Sequence, residues 1–349
     1  MFEILIIIFN YNIMTSELDI YKQKRINENN AIFKSSVLRL YSTVVSNIRS
    51  VQKSRQSNMI KRKQINSLVN QYNINVNNLK SNLNKSNLSI QNFKPKTITI
   101  NKNKKALLIG INYTGTSNEL RGCINDVNSI KERITNQGFT DITVLTDLTD
   151  LTTKTATRNN ILEEFKNLLI NSTEGDLLFL LYSGHGSYAL DKNGDEKTGY
   201  DQLIVPCDFN MIVDDDLKTI IQENLKSNVT LFAMFDSCFS GSVLDLRYQY
   251  MDSLDYDKFT ENDKELETKG CVFMISGCND YQTSADAFIN NKATGAMTWS
   301  LLEALKQTPK CSWRELIKSM RDLLKNSQYE QIPQFSSGTF ENIDLPVFI

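Results

Sequence analysis

Five short, largely apolar runs constrain this chain more than anything else in it. They are ALLIGINY (106–113), DITVLT (141–146), DLLFLLY (176–182), VTLFAMF (229–235) and CVFMISG (271–277). A strand with one face in water alternates polar and apolar residues. Runs that do not alternate need cover on both faces. Stretches with helical spacing lie between them, at about 123–136, 156–169 and 214–224, and two more follow at about 295–306 and 312–325. DQLIVP (201–206) reads as a further strand. This alternation predicts an α/β fold, with a mainly parallel central sheet flanked by helices on both faces.

That domain does not need the whole chain. Residues 1–100 hold 15 Lys and Arg against 4 Asp and Glu, a net of +11; totals of 39 and 40 leave 24 and 36 for the rest, a net of −12. The change of sign and the proline in FKPKTITINKNKK mark a boundary near 94–101, giving a basic Asn- and Lys-rich N-terminal region (1–100) and an acidic domain (101–349). Between 31 and 69 the apolar residues recur at roughly helical spacing, so helices are expected there. NQYNINVNNLKSNLNKSNLS (70–89) reads as a polar linker. The positive charge reads as a solvated pro-region, with binding to nucleic acid or a membrane surface as the alternative. No nucleic-acid-binding motif accompanies it. The opening MFEILIIIFNYNIM is too short to span a bilayer and lacks the basic start and small-residue cleavage site of a secretory signal; initiation at Met14 would remove it.

Six cysteines (123, 207, 238, 271, 278 and 311) form no CxxC pair, and one histidine supplies no zinc site. Reduced thiols in the cytoplasm are expected. There is no internal repeat, and a monomer is expected.

The single histidine, His185, stands in LLYSGHGSYA, where a buried strand ends in Gly-His-Gly. In open α/β sheets, ligand and catalytic groups collect at strand ends. Two other ends are unusual: DSCFSG (236–241) and SGCND (276–280). Cys271 lies inside its apolar run and reads as packing, whereas Cys238 sits past its run in a polar turn closed by glycine. A cysteine nucleophile needs an imidazole partner and N–H donors for the developing oxyanion. The one imidazole lies at another strand end of the same sheet.

FLLYSGHGS together with FAMFDSCFSG resembles the caspase-like cysteine peptidases, and within them the type I metacaspases. LRGCINDV, GYDQLIVPCDF, IVDDDL, SGCNDYQTSAD, GAMTWSLLEAL and YEQIPQFSSG fall in that family's order, over about residues 104–349. The short segment after Cys238 is similar to type I, since type II members carry a long insertion there. One departure is Phe239, where the family commonly has His; activity is expected to survive it.

The resemblance implies that Cys238 attacks the scissile carbonyl, that His185 protonates the leaving amine, and that the Cys238 and Gly186 N–H groups form the oxyanion hole. It implies protein or peptide substrates with Arg or Lys before the scissile bond, held by Asp126, Ser183 and Asp236. A buried guanidinium needs a carboxylate partner, which agrees. Arg121 imitates an acid-binding residue but is read as pointing elsewhere. The resemblance also implies activation by Ca²⁺ at Asp201, Asp214, Asp215 and Asp245, oxygen ligands suited to a hard cation. DKNGDEKTG (191–199) copies part of a calcium loop without its spacing and reads as solvated. Residues 247–270 read as a mobile processing loop between a large-subunit-like part (101–246) and a small-subunit-like part (271–349). Arg247, Lys258, Lys264 and Lys269 are its candidate cleavage sites, and Arg55 and Lys61–Lys63 offer others in the basic region. A catalytically silent scaffold and an Asp-specific caspase-like protease are the alternatives.

Overall fold

A computed structural model describes residues 2–91, 103–148, 154–191, 199–250, 260–262, 266–277, 286–289, 292–339, 343 and 346–349. The chain divides into two compact units, 1–94 and 95–349.

In the first unit α1 (Phe2–Lys53) and α2 (Asn58–Gln91) run antiparallel. Lys22 Nζ donates to the Gln91 carbonyl at 3.0 Å, Asn29 Nδ2 to Asn87 Oδ1 at 3.2 Å, and Lys61 Nζ to the Gln52 carbonyl at 2.9 Å. Phe33, Val37, Leu40, Val44 and Ile48 on α1 are half-buried, as are Ile65, Leu68, Tyr72, Val76, Leu79 and Leu83 on α2. Steps of three and four make these the seam of a two-helix coil. The linker expected over 70–89 is therefore helix. Asparagine, a poor helix former, hides the apolar residues at 72, 76, 79 and 83 that continue the seam.

The second unit begins with β1 (Lys104–Gly110), α3 (Cys123–Thr135), β2 (Asp141–Thr146), β3 (Lys154–Thr155), α4 (Arg158–Ile170) and β4 (Leu177–Ser183). Next come β5 (Gly186–Leu190), β6 (Tyr200–Ile204), β7 (Ile212–Val213), α5 (Asp214–Asn224) and β8 (Thr230–Asp236). After these lie β9 (Tyr248–Tyr250), β10 (Thr260–Glu261), β11 (Cys271–Ser276), β12 (Asp286–Ile289) and β13 (Lys292–Gly295). The unit closes with α6 (Ala296–Gln307), α7 (Trp313–Asn326) and β14 (Gln334–Ser337).

Among the described residues the central sheet has the order β10-β9-β14-β11-β8-β4-β1-β2-β3. From β11 to β3 every neighbouring pair is parallel. Strands β14, β9 and β10 extend one edge through antiparallel pairs. On one face Leu107, Ile109, Leu178, Leu180, Leu231 and Val272 join α4 and α5 through Ile161, Phe165, Leu217 and Ile221. On the other, Phe179, Phe232 and Phe273 meet Phe139 and Trp313; the Phe273 and Trp313 rings stack 5.0 Å apart. Helix α7 starts with a capping box, Ser312 and Glu315, and buries Trp313, Leu316, Ile317, Met320 and Leu324, one face at helical spacing. Each such side chain contributes about 1.5–3 kcal/mol by leaving water.

Two expectations change. DQLIVP supplies β6, which lies outside the central sheet in a small antiparallel sheet, β5-β6-β7. The 247–270 segment is not loop throughout, because β9 and β10 pair into the sheet edge. Arg247 bonds Glu261 at 2.7 Å and also pairs with Glu267. Its side chain is only 12% exposed, which removes it from easy reach of a protease. Lys269 is exposed. Lys258 and Lys264 lie outside the described residues, as do 192–198 of the DKNGDEKTG stretch and 278–280 of SGCND. No described helix is long and apolar enough to cross a membrane.

Candidate active site

Strands β4 and β8 are parallel neighbours, and their register sets Ser183 against Asp236. His185 and Cys238 each stand two residues beyond that last pair. Both residues therefore lie just past the ends of neighbouring parallel strands, at the same edge of the sheet. Gly184 N–H donates to the Asp236 carbonyl at 3.3 Å. At Gly186 a side chain would collide with the Cys238 carbonyl oxygen, so only glycine lets the two backbones meet. The two peptide groups expected to form the oxyanion hole share this corner.

The imidazole is fixed from three directions. Nε2 lies 2.7 Å from the Asn118 carbonyl oxygen; since a carbonyl only accepts, Nε2 is the protonated nitrogen and Nδ1 is left to exchange a proton with a thiol. The ring packs on Tyr113 with centroids 4.6 Å apart. The His185 N–H donates to the Tyr113 hydroxyl at 2.9 Å, which donates to the Val205 carbonyl at 2.6 Å. Tyr182 O–H donates to the His185 carbonyl at 2.8 Å. Burial pushes both phenols well above their ordinary pKa, which keeps them donors. Sequence reading missed Tyr113, Tyr182 and Asn118. Tyr113 follows the end of β1 with a φ of 53°, and position at a strand end was its one available signal.

Beside this corner Asp126 and Asp236 form a buried acid pair, 0% and 5% exposed. Asp126, in the first turn of α3, accepts from Ser183 Oγ at 2.8 Å, Thr294 Oγ1 at 2.6 Å and Gly295 N at 3.0 Å. Asp236 Oδ2 accepts from Thr298 N at 2.9 Å and Thr298 Oγ1 at 2.7 Å. Thr298 lies in the first turn of α6, where the helix dipole favours a negative charge. Burial, and then repulsion by Asp236, push the Asp126 carboxyl up from its ordinary value. The structure thus brings together all three residues expected to bind a basic side chain. Thr294, Gly295 and Thr298, which sequence reading missed, tie them to β13 and α6. Arg121 is exposed, and its carbonyl accepts from Asn125 Nδ2 at 3.4 Å.

Asp201, Asp214, Asp215 and Asp245 also lie near one another. Asp214 Oδ2 accepts from Gln202 N at 2.7 Å and Oδ1 from Asp215 N at 2.9 Å. Burial, helped by the charges of Asp245 and Asp201, pushes its carboxyl up to about 7. Lys218 Nζ pairs with Asp215 Oδ1 at 2.8 Å and Asp245 Oδ2 at 3.0 Å. The donor set suits a hard divalent cation in chemistry. Among the described residues no three Asp, Glu, His or Cys side chains stand converged as a metal site.

A family model described as metacaspase, peptidase C14 domain, matches residues 104–247. Metacaspase-1 of Meyerozyma guilliermondii is 35% identical over 292 residues, covering 69% of this chain and 71% of that protein. Metacaspase-1 of Scheffersomyces stipitis is 37% identical over 292 residues, 69% of this chain and 72% of that one. A Geobacter sulfurreducens protein of known crystal structure matches with a TM-score of 0.52 and 26% identity, over 69% of this chain and 95% of that one.

Proposed function

The chain belongs to the metacaspases, a family of cysteine peptidases with the caspase-like fold, and from that premise we propose an endopeptidase that cuts after Arg or Lys, is activated by calcium and processes itself. Cys238 is its nucleophile. The thiolate attacks the scissile carbonyl, the oxyanion takes hydrogen bonds from the Gly186 and Cys238 N–H groups, and His185 Nδ1 hands a proton to the leaving amine. Water, deprotonated by His185, then hydrolyses the thioester and regenerates the thiol. Asn118 holds the imidazole by its other nitrogen throughout. The cytoplasm is the proposed compartment, since this thiol has to stay reduced.

One observation carries the preference for a basic residue: two buried carboxyls, Asp126 and Asp236, beside the strand ends that bear His185 and Cys238. An acidic side chain would meet the charge on Asp236, and a guanidinium would favour the ionised form of Asp126 and find charge-assisted bonds to the pair. Asp201, Asp214, Asp215 and Asp245 would hold calcium, whose positive charge would offset their mutual repulsion in place of Lys218, which now pairs with Asp215 and Asp245. Self-cleavage is proposed within 247–269, at residues other than Arg247.

Paired fluorogenic peptides, one with Arg and one with Asp before the scissile bond, test this with and without calcium. Cleavage of the Arg peptide in calcium is expected. Cleavage of the Asp peptide alone, or equal rates in chelator, contradicts the reading. Thermal denaturation supplies a second readout: calcium should raise the melting temperature of wild type and not of an Asp214→Ala/Asp215→Ala variant.

A further inference from the structure

We propose that Tyr188, Tyr200 and Phe239 form an apolar subsite for the leaving-group half of the substrate, selecting an aromatic or large aliphatic residue just after the scissile bond. The subsite rests on the peptidase reading above, with Cys238 as nucleophile.

The three rings make one chain of contacts. Tyr188 meets Phe239 edge-on with centroids 5.0 Å apart and meets Tyr200 the same way at 5.3 Å. Yet Tyr188 is 52% exposed and Tyr200 41%. Side chains alternate along a strand, so Gly186, Tyr188 and Leu190 share one face of β5, and the register sets Tyr200 directly opposite Leu190. Leu190 is 71% exposed. This face starts where Gly186 touches the Cys238 backbone and continues outward as apolar surface. Scattered exposed aromatics need no explanation, but a contiguous patch that begins at a nucleophile does.

Phe239 supports the same assignment. It follows Cys238 directly and has a φ of 51°, a left-handed conformation that a bulky aromatic residue adopts only when its surroundings impose it. That conformation brings its ring to Tyr188 across the corner. Offset and edge-on ring contacts offer an incoming aromatic side chain a ready partner.

The side of the substrate follows from the chemistry. The acid pair holds the side chain before the scissile bond, on the acyl half. His185 gives its proton to the amine that departs, and β5 begins at the next residue. The departing half of the peptide therefore runs from His185 along β5, over Tyr188.

The test uses internally quenched peptides with one common acyl half ending in Arg and either Phe or Ser after the bond, a second pair with Asp replacing Arg, and four proteins: wild type, Tyr188→Ala, Tyr188→Phe and Phe239→Ala. Wild type is expected to cleave the Phe peptide about tenfold better in kcat/KM than the Ser peptide, the size of one good aromatic contact. The ratio should fall towards one in Tyr188→Ala and Phe239→Ala and survive in Tyr188→Phe. A wild-type ratio near one overturns the subsite. So do variants that slow both peptides equally and keep the ratio, since that marks a structural role. Cleavage of the Asp pair in place of the Arg pair sinks only the basic-residue reading, and the Phe-to-Ser ratio is then read in the Asp pair.

Discussion

Asp126 carries a carboxyl group where charge is costly. It is fully buried, sits against Asp236, and takes three hydrogen-bonding partners from Ser183, Thr294 and Gly295. Its pKa is raised from 3.8 to about 8, so the folded protein holds this proton more tightly than the unfolded chain does. Below the unfolded value both states are protonated and no stability is lost. As pH rises from 3.8 towards about 8 the unfolded state gains by ionising, and stability falls. Asp126→Asn mimics the protonated form and has no such dependence. Melting curves at successive pH values should show the variant gaining on wild type between pH 4 and 8, while its cleavage of Arg peptides collapses. Parallel curves for the two proteins would contradict the buried, raised carboxyl. Tyr113 acts at the same scale. Tyr113→Phe strips the hydroxyl that joins the His185 N–H to Val205, with an expected cost of about 1–3 kcal/mol in urea unfolding and a slower turnover. His185 and Cys238 were legible because each stands in a polar, glycine-flanked turn past a buried run, whereas Asp126, Ser183 and Asp236 came only with the family resemblance. Tyr113, Asn118 and Thr298 stayed hidden for a physical reason. Asn118 acts through a carbonyl that any residue could supply, and the two hydroxyls act through partners brought in by folding.

Among the elements, the buried strands were legible and the edge strands were not. Strands β1, β4, β8 and β11 are covered on both faces, so each carries an apolar run with polar residues only at its ends. β14 is QFSS and β9 is YQY, short and half polar, and they pair because a neighbouring edge is available. The N-terminal seam was hidden in the same way by asparagine. The β9–β10 edge gives a testable consequence. Arg247 ties Tyr248–Tyr250 to Glu261 and Glu267. Arg247→Ala leaves two carboxylates without their cation, with an expected loss of about 3 kcal/mol in chemical denaturation. A loss within experimental error would mean that the pair is solvated. Mass spectrometry of calcium-treated wild type should find no new N-terminus at Tyr248. The fragments should stay associated under native conditions, since β9 and β11 both pair with β14.

At the scale of the molecule, the sign of the charge changes where one compact unit ends and the next begins. The first unit has a half-buried seam and no fully buried residue between 22 and 88, so little apolar area holds that stretch together. The second encloses a core on both faces of its sheet. Calorimetry of the full chain should therefore show one main transition, and residues 95–349 alone should melt within a few degrees of it. A transition that drops far below would show that the basic unit supports the peptidase fold. Cys238 and His185, just past the neighbouring ends of β8 and β4, are proposed to cleave peptides after basic residues. The decisive measurement is the turnover of an Arg fluorogenic peptide in calcium by wild type, Cys238→Ala and His185→Ala, each checked by circular dichroism. Turnover by wild type alone, with all three proteins folded, is the predicted result. Wild-type rates in either folded variant would contradict it.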